Sequence, residues 1–186
     1  MKTKTTELLT TSAENSDLFF SSNSTDSKIS SLQKALNELG QLENAKLENT
    51  QAYCMMIWST LELLSRFYSG QLGNQQATKR LKNFIRGYFP HKREHTEILL
   101  LFRNACMHSI SLHATDISGK KEVRFSLVNK GDFLSSEKRT SFDINPKEFK
   151  TRLLKSIENY KTELQKNEIL QNKFDTVYRK LGFLII

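Results

Sequence analysis

The chain is short of cysteine, proline and long apolar runs, and each shortage removes a class of protein. Its two cysteines, Cys54 and Cys106, lie far apart in apolar helical windows. A disulfide framework needs more of them, so both are expected to be buried, reduced thiols in a cytoplasmic protein. No stretch approaches the ~20 apolar residues of a membrane span, and no apolar run of about 7 to 15 residues follows the basic start as in a signal peptide. No membrane partner is therefore expected. The two prolines, Pro90 and Pro146, stand where one helix is expected to end and another to begin. Zinc-finger spacing, a helix-turn-helix, a Gly-rich phosphate loop and internal repeats are all missing. His91 and His95 stand four apart, but Pro90, Lys92 and Arg93 argue against zinc there. They are expected to be surface residues near a helix start, and no metal or cofactor is expected.

Acid is the remaining shortage. Lys and Arg number 28 against 20 Asp and Glu, a formal charge of +8. Residues 1–30 hold three lysines and four acids, a net −1, so the rest of the chain carries +9. Such a balance favours polyanionic partners, nucleic acid first.

Residues 1–29 are rich in Ser and Thr and show no sustained period, which reads as a disordered polar tail before a domain at 30–186. Helical spacing then appears four times. It places Leu32, Leu36 and Leu39 on one stripe, and Cys54, Ile57, Trp58, Leu61, Leu64 and Tyr68 on the next, which closes at Gly70 and Gly73. A third stripe carries Leu81, Phe84, Ile85 and Tyr88, and the fourth runs from Glu94 to about His108. Val123, Phe125 and Leu127 alternate with polar residues as in a half-buried strand, "NKGD" supplies a turn, and Thr140 to Ile144 is a candidate partner strand. From Pro146, behind Asn145 as cap, the period is helical again through Phe149, Leu153, Ile157, Tyr160 and Leu164. A break near Asn167 precedes Phe174, Val177, Tyr178 and Leu181. The expected fold is all-α, a bundle of four to five helices with a small β-hairpin inserted before the last helix. The apolar end, Phe183 to Ile186, is expected to dock on the bundle or on a second subunit.

The stretch "EILLLFRNACMH" poses the functional question. Five apolar residues run into Arg103, Asn104 and His108. An unpaired buried charge costs several kcal/mol, so these polar groups either satisfy one another or line a binding surface. On an ideal helix Arg103 and His108 are about 140° apart, whereas two copies around a dyad would bring both kinds of side chain into one cleft. "RNACMH", with a polar residue directly after the arginine and an apolar run in front, resembles the signature of the HEPN superfamily of small helical domains. The likeness extends to the general plan of residues 30–181.

That resemblance implies a metal-independent endoribonuclease acting as a homodimer with a composite active site, of the kind found in toxin–antitoxin and other defence systems. Arg103 and His108 would be the catalytic pair and Asn104 their support. Glu62, in the apolar helix "WSTLELL", would pair with Arg103 and hold its guanidinium. The chemistry fits: histidine exchanges protons near neutral pH, and arginine presents a planar fork of donors to a phosphorane. The product would carry a 2′,3′-cyclic phosphate. RNA is the expected partner, with a protein antitoxin as a further one. Arg86, Lys92 and Arg93, in a basic run without acids, are candidate RNA contacts. The alternatives are a non-catalytic module that binds RNA or a protein, and a purely structural helical dimer.

Overall fold

The computed structural model describes residues 12–21, 28–115, 119 and 122–185. In chain order these form α1 (Ser12–Phe20), β1 (Lys28–Ser30), α2 (Ser31–Asn44), α3 (Gln51–Ser69) and α4 (Ala77–Tyr88). A 3-10 turn at Arg93–His95 leads into α5 (Thr96–His108), then β2 (His113–Thr115), β3 (Glu122–Leu127), β4 (Leu134–Lys138) and β5 (Ser141–Ile144). The chain continues with α6 (Pro146–Leu164), α7 (Glu168–Leu181) and β6 (Phe183–Ile185).

The central element is α3. Thr50 caps its start by accepting from the Tyr53 N–H, and Gly70 closes it in the left-handed conformation at φ +73°. Its buried stripe, Cys54, Ile57, Trp58, Leu61 and Leu64, meets the surrounding helices. Trp58 packs edge-on against Phe149 of α6 and Phe102 of α5, while Phe84 of α4 meets Tyr160 of α6. Asn145 caps α6 by accepting from the Lys147 and Glu148 N–H groups, with Pro146 next, and Asn167 caps α7. Both follow from the short polar acceptor satisfying N–H groups that a helix start leaves free.

The all-α bundle of four to five helices with one inserted hairpin is corrected. Seven α-helices occur among the described residues, and four strands form a mixed sheet in the order β2-β3-β5-β4. The expected partners β3 and β5 do pair, but in parallel, Arg124 opposite Ser141 through Leu127 opposite Ile144. The reason is β4, which lies antiparallel to β5 across the turn at Arg139 and Thr140, so the hairpin spans 134–144. Its sequence, LSSEK, offers one apolar residue and no alternation, and β2 is three residues long. Neither carries a strand signal. Val123, Phe125 and Ile144 on the inner face are buried, and Phe125 lies 5.2 Å from Phe102 of α5.

The N-terminal segment also differs from the expected tail. Phe19 of α1 is fully buried, with its ring 4.3 Å from Phe67 and 5.3 Å from Phe174, and its carbonyl accepts from Ser30 Oγ at 2.7 Å. The rest of the expected tail, 1–11 and 22–27, lies outside the described residues. At the other end, β6 pairs antiparallel with β1 of the same chain, Ile29 opposite Leu184.

Candidate functional site

The apolar run of α5 buries Leu99, Leu100, Leu101, Phe102, Ala105 and Cys106. Arg103 and Asn104 emerge between them on the side facing α3 and α4. Arg103 Nε donates to Glu62 Oε1 at 2.7 Å, Nη2 reaches the same oxygen, and Nη1 donates to Asn104 Oδ1 at 3.1 Å. The pair is mostly shielded, with side-chain exposures of 20% and 26%. Glu62 thus takes up the position expected of it, because Leu61 and Leu64 pack inward and turn it toward α5. Arginine has five N–H donors, so two on Nη1 and Nη2 are left over from these three bonds. Glu62, Thr78, Leu81, Leu100, Arg103 and Asn104 line one narrow crevice.

A further cation lies behind this pair. Arg80 is buried, donating to the Gly73 carbonyl at 2.9 Å and to Ser65 Oγ at 3.4 Å. Burial holds its guanidinium below the usual range, Arg66 pushes the same way, and the Glu62 charge opposes both. Glu62 is therefore the acid in a field of three arginines.

Asn104 leads round the helix to the histidine. Besides the crevice, it lines an open depression of about 360 Å³ with His108, Ser109, His113, Ala114 and Thr115. His108 is exposed there, four residues and about one turn from Asn104. The chain then reverses sharply. Leu112 takes φ +53°, a left-handed conformation costing a leucine roughly 1–2 kcal/mol, and β2 begins at His113. Hydrogen bonds hold the reversal. Gln51 Nε2 of α3 donates to the carbonyls of Cys106 at 2.8 Å and Ser109 at 3.0 Å, and the Phe125 N–H donates to the Leu112 carbonyl at 3.0 Å.

The three basic residues expected to contact RNA lie elsewhere. Arg86 sits 3.8 Å from Glu97, which also pairs with Lys82, and Lys92 and Arg93 are exposed at the 3-10 turn. Arg86 lies in the last turn of α4 and Lys92 and Arg93 lie just before α5, so all three sit toward the start of that helix, which is about 18 Å along the axis from His108 at 1.5 Å per residue. In the sheet beside the depression Arg124 is exposed and is the cross-strand partner of His113. Sequence reasoning missed Arg124, His113 and Gln51. No local pattern marks them, since their roles depend on the register of a three-residue strand and on a bond between helices.

His91 is half-buried and not a free surface residue. Its Nδ1 lies 2.7 Å from the Phe89 carbonyl and its Nε2 2.8 Å from Thr96 Oγ1. Among the described residues no three His, Cys, Asp or Glu side chains gather as a metal site, and no helix is long and apolar enough to cross a membrane. In comparisons with known proteins, no family model, no curated protein and no solved structure matches the chain.

Proposed function

We propose that the protein is a metal-independent endoribonuclease of the HEPN type. The likeness rests on the Arg-x4-His signature and not on a bundle. His108 carries a proton as a ribose 2′-OH attacks the adjacent phosphate, and Arg103 stabilises the charge on the phosphorane. One observation carries the reading: Arg103 is bonded to Asn104, and Asn104 lines the same open depression as the exposed His108. A histidine kept only for packing would be buried. Glu62 fixes the Arg103 fork from behind and leaves two N–H groups for phosphate oxygens, an arrangement suited to electrostatic stabilisation.

The substrate in this reading is RNA, and the working form is a homodimer silenced by a protein antitoxin. Ile110, 98% exposed two residues past His108, offers a second chain an apolar contact beside the site. The two cysteines are buried and unpaired, and burial pushes the Cys106 thiol up to about 12, which fits a reducing cytoplasm. The Arg103–Glu62 pair favours a second reading, a non-catalytic module that binds RNA or a protein, because its own chain already occupies three of the arginine's donors.

The test is cleavage of a mixed RNA pool in EDTA by the purified protein and by His108→Ala, both shown to fold alike. Cleavage reduced about 10² to 10⁴-fold in the variant is expected. No cleavage by the wild type would leave the binding module.

A further inference from the structure

We propose that His113 is a second catalytic histidine, the general acid that protonates the departing 5′-oxygen while His108 takes the 2′-OH proton. This deepens the ribonuclease reading and rests on it. Cleavage by 2′-OH attack moves two protons at two places. The 2′-oxygen forms a bond to phosphorus and gives up its proton, and the P–O5′ bond breaks with a proton supplied to the 5′-oxygen. Attacking and leaving oxygens lie roughly in line on opposite sides of phosphorus. One imidazole on one helix therefore does not serve both. With one ring starting neutral and the other protonated, the protons balance and the two rings exchange states.

The depression supplies two walls. Asn104, His108 and Ser109 from the end of α5 form one, and His113, Ala114 and Thr115 of β2 form the other. Both histidines are exposed, so both are open to a bound phosphate. The chain reversal that brings His113 back beside His108 has a left-handed leucine in it and is held by Gln51 from another helix. Unfavourable backbone held by its surroundings is characteristic of sites where placement matters.

The sheet decides which histidine is the acid. His113, Arg124, Ser141 and Lys138 form one row across its four strands on the solvent face. Glu122, opposite Thr115, and Asp143, opposite Ser126, lie two residues along the strands to either side, on the same face. A departing polynucleotide laid along the row meets Arg124 and then Lys138 with its phosphates, and the flanking acids confine it there. The leaving oxygen then falls on the His113 side, and the 2′-OH on the side of His108 and the Asn104–Arg103 pair.

The test compares wild type, His108→Ala and His113→Asn on two substrates. One is an RNA oligonucleotide. The other is uridine 3′-(4-nitrophenyl phosphate), whose leaving group departs without a proton. His113→Asn should cut RNA about 10² to 10⁴-fold more slowly and yet cleave the nitrophenyl ester at close to the wild-type rate. His108→Ala should lose both activities. His113→Asn cutting RNA like the wild type, or losing both activities equally, would overturn the assignment while leaving the ribonuclease reading intact. Wild type inert on both substrates would overturn that reading and this assignment with it. Equal melting temperatures of the three proteins establish that a loss is not unfolding.

Discussion

Arg103 on α5 and Glu62 on α3 form a two-contact ion pair, Nε and Nη2 of the guanidinium meeting Oε1 of the carboxylate. The pair ties the signature helix to the central helix. With about a quarter or less of each side chain exposed, it lies between a surface bridge and a buried one. Glu62→Gln should destabilise the fold by about 1–3 kcal/mol, because the arginine keeps its charge and loses its counter-charge. Urea denaturation measures this, and a double-mutant cycle with Arg103→Gln should show coupling of about 1 kcal/mol or more.

Gln51→Ala removes both donors that hold the end of α5. Each lost hydrogen bond costs about 1 kcal/mol, so a loss near 2 kcal/mol is expected in denaturation. RNA cleavage at a temperature where the variant remains folded should fall about tenfold or more, because the walls carrying His108 and His113 lose their fixed spacing. Unchanged cleavage would mean that the reversal holds without Gln51.

Phe19→Ala tests whether α1 belongs to the core. A buried phenylalanine removed from contact with Phe67 and Phe174 should cost about 3–5 kcal/mol. A change below about 0.5 kcal/mol, the usual range for surface positions, would return residues 12–20 to a tail.

These elements mark how far the sequence could be read. The stripes on α3 and α4 were legible because Ile57, Trp58, Leu61, Phe84 and Ile85 repeat at helical spacing, and all are buried. So were the caps at Asn145 and Gly70 and the break at Asn167. The expected Glu62–Arg103 contact is present as well. What stayed hidden depends on partners distant in sequence. Phe19 looks like one of two aromatics in a polar stretch until α7 covers it, and Arg80 shares the basic run of α4 yet is buried on a backbone carbonyl. The parallel β3–β5 pairing follows from where β4 returns, which its polar sequence does not announce.

The pH dependence of stability should carry a signature of His91. Burial holds its imidazole below the ordinary histidine value of 6.5, His95, Arg152 and Arg86 act the same way, and the Phe89 carbonyl opposes them. As pH falls, the unfolded chain takes up the proton before the folded one. The His91 contribution is therefore full above the ordinary value and is lost as pH drops from there through the lower folded value. Denaturation midpoints at about pH 7.5 and about 5.5 should differ less in His91→Gln than in the wild type.

Attack by the 2′-OH is tested with one RNA oligonucleotide, its all-DNA counterpart, and a copy with a single 2′-deoxynucleotide at the mapped cleavage position, all in EDTA. Cleavage of the RNA to a 2′,3′-cyclic phosphate end is expected, with no cleavage of the DNA and none at the deoxy position. Cleavage at the deoxy position, or RNA ends bearing a 5′-phosphate, would contradict attack by the 2′-OH and with it the roles given to Arg103 and His108.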